Sequence, residues 1–176
     1  MADISEILTF DQQQGIKPIS KNNASKFSQL LNETINTDLV QLLGAAFVTA
    51  LKKEPTVARF VNILDSNTYE NCYGNDVTFE GLRYVIAYLL HSRYIRSSSS
   101  HDTFSGVVKV NRPESENVSD GTLRAMQQES KDIAVTQFNL VKSYLVENCA
   151  DYPEFEYANA SKTFTPRMIN IRKTER

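Results

Sequence analysis

The segment from Thr78 to Ser97 constrains the fold of this chain most strongly, because its apolar residues cover more than one face of a helix. One stripe of apolar residues recurs at helical spacing, and further apolar side chains widen it on both flanks. The stripe consists of Phe79, Leu82, Ile86, Leu89 and Leu90, and the flanking residues are Val85, Ala87 and Tyr88. A helix with so wide an apolar surface has to be covered by other elements. We therefore predict that residues 78–97 form the central, most buried helix.

Four other segments show apolar residues at helical spacing and are predicted to be helices around the central one. They begin near residues that favour helix N-caps, or near Pro55, which suits a first turn. The predicted ranges are 23–35, 38–53, 56–64 and 120–148. The last of these is the longest, and its apolar stripe is expected to pack against the central helix. The residues expected in that contact are Leu82, Ile86, Leu89, Ile133, Phe138 and Val141.

Two non-helical segments lie between these helices. Residues 65–76 are polar and end in Tyr73-Gly74-Asn75-Asp76, so a loop with turn chemistry is predicted there. Residues 103–110 have an alternating pattern with β-branched residues around Gly106, which predicts a strand. Residues 111–117 suit a loop or hairpin tip. Because a short isolated strand leaves its backbone groups unpaired, we expect it to pair in its own hairpin, with a neighbouring subunit or with the C-terminal tail.

The two ends of the chain show little helical periodicity. Residues 1–21 have a weak pattern that Pro18 interrupts, and residues 150–176 carry scattered aromatics and a basic end. The predicted organisation is an N-terminal arm over 1–21, a helical domain over 22–149 with a strand insertion near 103–112, and a C-terminal arm over 150–176. The fold class is mainly α: a small helical bundle with a short β-hairpin or strand insertion and extended terminal arms.

The charge and cysteine content narrow the range of functions. The net charge is −2 and the isoelectric point is about 5.7, which argues against an autonomous nucleic-acid binder but not against a local basic patch. Cys72 and Cys149 lie outside any CxxC motif, so they are expected to be free thiols in a reducing cytosol. The N-terminus lacks the features of a signal peptide, and no apolar run is long enough to span a membrane.

No motif in the sequence indicates an enzyme. Residues 97–102, SSSSHD, place Ser, His and Asp side by side, but a catalytic triad needs these groups to meet in space, so a helix–strand linker is favoured. His91 and His101 have no Cys, His or Glu at ligand spacing, which argues against a zinc site. The glycines form no phosphate-binding loop. We therefore expect no catalytic, metal-binding or cofactor-binding residues.

The candidate functional residues are instead those suited to contacts between proteins. Aromatic residues in the C-terminal tail have little core of their own to cover, and aromatic residues are enriched at interfaces. The predicted strand adds two valines. The central helix adds two arginines that suit an acidic partner or DNA phosphates, unless they belong to a solvated helix face. The candidate interface residues are Tyr152, Phe155, Tyr157, Phe164, Val107, Val108, Arg93 and Arg96.

Five short fragments follow one another along the chain in a distinctive order. They are Asp38-Leu39…Leu42-Leu43-Gly44, Asn71-Cys72-Tyr73-Gly74, Gly81-Leu82-Arg83…Ala87-Tyr88…Arg93-Tyr94, Thr103-Phe104-Ser105-Gly106-Val107-Val108-Lys109 and Val118-Ser119. In order and spacing they resemble the small helical head–tail connector (adaptor) proteins of tailed bacteriophages, with the greatest likeness to those of crAss-like and other Bacteroidales phages. The resemblance covers residues 24–148.

The resemblance implies a structural virion protein without enzymatic activity. Connectors of this kind form a homo-oligomeric ring, twelvefold like the portal, beneath the portal protein. They join the capsid to the tail or to further connector proteins, and DNA passes through the centre without sequence-specific binding. The implied location is the head–tail junction of a virion assembled in the host cytoplasm, with no membrane partner. The alternative is a helical regulatory or scaffolding protein that binds another protein or nucleic acid.

Overall fold

The computed structural model describes residues 6–20, 24–98, 100–103, 106–109 and 119–155, and it confirms a mainly α-helical fold. The helices are α1 (Phe10–Ile16), α2 (Ala24–Thr34), α3 (Val40–Leu43), α4 (Ala45–Lys53), α5 (Ala58–Leu64), α6 (Leu82–Ser98) and α7 (Asp120–Glu147), with a π-helical turn (Ile35–Leu39) between α2 and α3. The strands are β1 (Asn67–Glu70), β2 (Asp76–Phe79), β3 (Ser100–Thr103) and β4 (Gly106–Lys109). They form two separate antiparallel hairpins, β1–β2 and β3–β4.

Helix α6 is the buried centre of the domain, as its wide apolar surface predicts. Leu82, Val85, Ile86, Ala87 and Leu90 are all fully buried. Helix α7 packs along α6, and α1, α2, α5 and the π-helical turn also contact it. The other helices therefore supply the apolar cover that a helix of this composition requires.

The predicted contact between α6 and α7 is confirmed for all its members except Ile133. Phe138 and Val141 are buried, whereas Ile133 is only partly buried on the flank of α7. The stripe that faces α6 passes through Ala134 instead. Neighbouring residues on a helix differ in direction by about 100°, so Ile133 points away from the face that Ala134 buries.

The first hairpin, β1–β2, replaces the loop predicted over 65–76. Its strands pair over Asn67↔Phe79 to Glu70↔Asp76, and its turn is closed by the side chain of Asn71, whose Oδ1 accepts the backbone N–H groups of Tyr73 and Asn75. The prediction was wrong because each strand has only four residues, too few for a clear alternating pattern. As a consequence, the central helix begins at Leu82 rather than near Thr78.

Gly81 makes the sharp junction between β2 and α6 possible. Its φ of +88° lies in the left-handed region, which side-chain-bearing residues avoid. A Cβ at this position would collide with the backbone of Leu64 and Asp65 at the end of α5. The close approach of α5 to the start of α6 therefore depends on a residue without a side chain.

The described part of the predicted N-terminal arm, residues 6–20, packs against the helical body. Ile7, Leu8 and Ile19 are buried in the core. Helix α1 starts with a capping box formed by Thr9 and Gln12, and Gln13 donates a hydrogen bond from Nε2 to the carbonyl of Ala87 on α6 at 3.3 Å. The segment is therefore an integral part of the domain and not an extended arm.

The strand predicted over 103–110 is divided between the two strands of the second hairpin. Strand β4 pairs antiparallel with β3, and the register runs from Ser100↔Lys109 to Thr103↔Gly106. Of the three pairing partners considered, the chain's own hairpin is the one observed. The linker predicted over 97–102 is replaced by the end of α6 and strand β3, and the predicted loop or tip at 111–117 lies outside the described residues.

We predict that Ile86→Ala lowers the free energy of unfolding by about 2–5 kcal/mol, because it leaves a cavity in the fully buried centre of α6. The measurement is urea unfolding followed by circular dichroism. Met126→Ala on α7 is the control, and since Met126 is 42% exposed, the change should stay within about 0.5 kcal/mol. Equal losses for the two variants would contradict the central position of α6.

We predict that Gly81→Ala destabilises the domain by about 2 kcal/mol or more, since it adds both a left-handed backbone penalty and a backbone collision. The matched control is Gly15→Ala in α1, where a Cβ meets nothing within 4 Å. That substitution should be neutral or stabilising by up to about 1 kcal/mol. Thermal melting of both variants beside the unmodified chain measures the contrast, and a harmless Gly81→Ala would refute the close junction.

Candidate interaction surfaces

Two of the predicted interface aromatics, Tyr152 and Phe155, belong to the core instead. Tyr152 is only 1% exposed, and its hydroxyl donates a hydrogen bond to the carbonyl of Arg59 at 2.6 Å. Its ring centroid lies 6.2 Å from that of Phe47 and 6.1 Å from that of Tyr144. Phe155 is 7% exposed and packs edge-on against Phe47 at 6.0 Å. Burial raises the pKa of the Tyr152 phenol above its ordinary value.

An ion pair fixes the same C-terminal turn against α5. Arg59 donates to Glu154 through two nitrogens, Nη1 to Oε2 at 2.9 Å and Nη2 to Oε1 at 2.7 Å, and Nη1 also donates to the carbonyl of Asp151 at 3.0 Å. The hydrogen bond from Arg59 lowers the pKa of the Glu154 carboxyl. The domain therefore extends to Phe155, beyond the predicted boundary at 149.

The remaining predicted interface aromatics, Tyr157 and Phe164, lie outside the described residues. The two predicted valines lie in β4, where Val107 pairs with Asp102 and Val108 pairs with His101 in the ladder of the second hairpin. Their role in contacts with another chain stays a prediction.

Arg93 is engaged within the subunit. Its Nε donates to Oδ2 of Asp38 at 2.6 Å, its Nη2 donates to Oδ1 of Asp38 at 3.0 Å, and the same Nη2 donates to the hydroxyl of Thr37. Oε2 of Glu33 lies 3.9 Å from Nη1 of Arg93. The hydrogen bond to Asp38 raises the pKa of the guanidinium. Arg93 thus ties α6 to the π-helical turn, a role that the sequence did not predict.

Arg96 lies one turn further along α6 and is exposed. It lines a shallow polar hollow of about 310 Å³ between the end of α6 and the start of α7. The other lining residues are Ile95, Asp120, Leu123, Arg124 and Gln127. Arg96 is therefore on the surface, and its contact with an acidic partner or with DNA phosphates stays a prediction.

His91 lies at the contact between α6 and α7 and is 8% exposed. Its Nδ1 is 3.0 Å from Oγ of Ser130, and that hydroxyl donates its single proton to the carbonyl of Met126 at 3.0 Å. Nδ1 must therefore carry the proton and donate to Ser130. Burial lowers the pKa of His91, and the charge of Lys17 adds to the effect.

A shallow, open hollow lies along the outer flank of α7, and we call it the α7 hollow. Its lining residues are Ala125, Gln128, Glu129, Asp132, Ile133, Thr136 and Gln137. The α7 hollow was not among the predicted sites. Met126 and Ile133 are apolar residues that lie seven positions apart on α7, outside the stripe that packs on α6. Their spacing indicates a second, less buried apolar strip on this helix.

Several residues that carry the resemblance to head–tail connectors have structural roles in this chain. Three of the four glycines in the fragments, Gly44, Gly74 and Gly81, have positive φ, and they are the glycines with positive φ among the described residues. The ion pair between Asp38 and Arg93 joins two fragments that are 55 residues apart. The fragments therefore contain residues that form backbone turns and one ion pair between distant parts of the fold.

A comparison with protein families matches residues 39–165 to the sequence model of DUF6712, a family of unknown function. The chain belongs to the DUF6712 family. No curated protein and no solved structure matches it. The function of this DUF6712 protein therefore has to be argued from its residues and their geometry.

The described part of this DUF6712 protein offers no group of three or more His, Cys, Asp or Glu side chains that could hold a metal ion. In the same residues no helix is long and apolar enough to cross a membrane. Cys72 and Cys149 are both exposed and free. The two hollows and the β3–β4 hairpin are surface features suited to contacts with other molecules.

We predict a coupling of about 1 kcal/mol between Asp38 and Arg93 in a double-mutant cycle, since the contact is bidentate but partly exposed. The variants are Asp38→Asn, Arg93→Met and both together, compared by urea unfolding. Arg93→Lys is the control for charge, and it should lose most of the coupling because an ammonium cannot make the paired contact. Strictly additive losses would show that the pair does not link α6 to the π-helical turn.

We predict that stability falls as the pH drops below 6.5, the ordinary pKa of histidine, toward the lower pKa that His91 has in the folded state. In this window the unfolded chain binds a proton that the folded chain resists, so acid favours unfolding. Unfolding free energies measured from pH 8 to pH 5 should show this slope, and His91→Gln should flatten it. An unchanged slope in that variant would assign the effect to other groups.

Proposed function

We propose that this DUF6712 protein is a structural virion protein, a head–tail connector that forms a ring on the portal, joins the capsid to the tail and leaves a central passage for DNA. The observation that carries the proposal is the structural use of the resembling fragments. Gly81 and Gly44 lie at backbone positions with φ near +85°, and Arg93 reaches back to Asp38. A likeness that rests on such positions supports a shared fold better than one that rests on surface residues.

The β3–β4 hairpin suits a role in assembly. Among the residues that the structure describes, each of its four-residue strands pairs only with the other, and the hairpin contacts the helical body chiefly through α6, the helix that leads into it. Two isolated strands are marginally stable in water, and unpaired strand edges readily accept a further strand. A neighbouring subunit that adds a strand or covers the hairpin would stabilise it, as expected for a ring.

The charge distribution suits a passage that DNA crosses without being held. Residues 1–155 contain fourteen Lys and Arg against nineteen Asp and Glu, a net charge of −5, while residues 156–176 contain five against two, a net charge of +3. Phosphate binding depends on clustered positive charge, so the acidic body has little general affinity for DNA. The basic C-terminal segment is proposed to contact protein, as an arm toward a neighbouring subunit or the portal.

The expected outcome of co-purification with the portal protein of the same phage is a ring-shaped complex in negative-stain images, twelvefold like the portal. If the protein stays monomeric beside assembled portal, and binds a regulatory protein or nucleic acid instead, the connector proposal is wrong. That result would favour a helical regulatory or scaffolding protein.

We predict that removal of residues 156–176 leaves the folded domain intact but prevents ring formation on the portal. The cut has to follow Phe155, because a cut after Asp151 would also remove Tyr152 and Phe155 from the core. The protein that ends at Asp151 should therefore lose thermal stability. The protein that ends at Phe155 should keep the circular dichroism spectrum and melting temperature of the full chain. Rings of normal yield from the 1–155 protein would refute the role of the segment as an assembly arm.

A further inference from the structure

The α7 hollow is an exposed face of α7 that carries both acidic and apolar side chains. Glu129 and Asp132 supply two carboxylates, and Asp132 also accepts a hydrogen bond from Gln128 Nε2 at 2.8 Å. Ala125 and Ile133 supply apolar surface, and no Lys or Arg is among the described lining residues. Such a surface favours a ligand with positive charges, N–H donors and some apolar side chains.

We propose that the α7 hollow binds residues 156–176 of the same chain in the isolated subunit. This segment has a net charge of +3, opposite in sign to the hollow. Basic and apolar residues lie close together near its end, so the segment can contact both the carboxylates and the apolar side chains of the hollow. The residues that suit the contact are Phe164, Arg167, Met168, Ile169, Ile171 and Arg172.

The chain is long enough to reach. Tyr152 fixes the start of the segment, since its ring lies 6.1 Å from that of Tyr144 on α7. Ile133 lies eleven residues before Tyr144, or about 16 Å along the helix at 1.5 Å per residue. The thirteen residues from Phe155 to Met168 span up to about 43 Å when extended. A tethered segment of this length has a high effective concentration at the hollow, which favours the same chain over a second copy in dilute solution.

This inference goes beyond the connector proposal and does not depend on it. It concerns the free subunit, in which the α7 hollow would hold the segment close to the body before any partner competes for it. Charged pairs and apolar contacts of modest size would keep the interaction reversible.

The test is disulfide trapping in the full chain. Cys72 and Cys149 are replaced by serine, and one cysteine is placed in the hollow by Thr136→Cys and another in the segment by Asn170→Cys. Mild oxidation at low protein concentration should give a cross-linked monomer on a non-reducing gel. The control replaces the hollow position by Lys131→Cys, which lies five residues away and points about 140° around the helix, so its cross-linking should be slower by about tenfold.

A charge-reversal pair tests the chemistry of the contact. Glu129→Lys with Asp132→Lys should slow cross-linking from Thr136→Cys by about tenfold, because two attractive contacts become repulsive. Glu70→Lys with Glu80→Lys makes the same change in net charge on exposed residues outside the hollow and should leave the rate unchanged. Circular dichroism verifies that each variant is folded.

Each contrary result overturns the proposal in a distinguishable way. Equal rates from the hollow and control positions would mean that the segment does not bind there. A predominant cross-linked dimer would assign the hollow to the segment of a second copy. Equal slowing by both charge-reversal pairs would reduce the effect to overall charge. Because the experiment uses free subunits, none of these outcomes depends on whether the protein forms a ring on a portal.

Discussion

The burial of most of α6 is the constraint on which the rest of the structure depends. Val85, Ile86 and Ala87 are buried in succession, so elements on several sides have to cover this helix, whose exposed residues Arg96 and Ser97 lie near its end. The polar contacts of α6 reinforce this arrangement at both ends. Near its start, Arg83 binds Asp65 and donates from Nε to the carbonyl of Ile7 at 2.9 Å, and near its end Arg93 binds Asp38.

Helices α2, α5, α6 and α7 could be predicted from the sequence because each carries a local periodic signal. Helix α1 and the first hairpin were missed because they depend on distant partners, and the helix predicted over 38–53 is divided at Gly44 between α3 and α4. Phe79 fits the helical stripe by spacing, yet it closes strand β2, where Tyr69 and Tyr144 cover it. Ile7 and Tyr152 lie in short segments with little pattern of their own. They are buried because a distant part of the chain forms a cavity that fits them. Periodicity along the sequence cannot detect such long-range packing.

The candidate surfaces show the same division. Residue type identified Arg93 and Arg96 as groups that suit a charged partner, but only the fold shows that Arg93 binds Asp38, 55 residues earlier in the chain, and that Arg96 is exposed. Tyr152 and Phe155 were predicted to contact another chain, but they are buried within the subunit. For Tyr152 and Phe155 the surface that buries them is the subunit's own α4 and α5, since Phe47 and Phe60 leave an aromatic pocket open there.

The position of Tyr152 and Phe155 also has a consequence for how the chain folds as it is made. The pocket around Phe47 stays incomplete until residues more than one hundred positions later have been synthesised. Contacts of such long range close slowly, because a large loop of chain must be ordered first. Until Tyr152 and Phe155 are in place, the rings of Phe47 and Phe60 lack part of their apolar cover, and incompletely covered apolar surface makes a folding chain prone to aggregation. The turn that carries Tyr152 and Phe155 completes the core by covering Phe47.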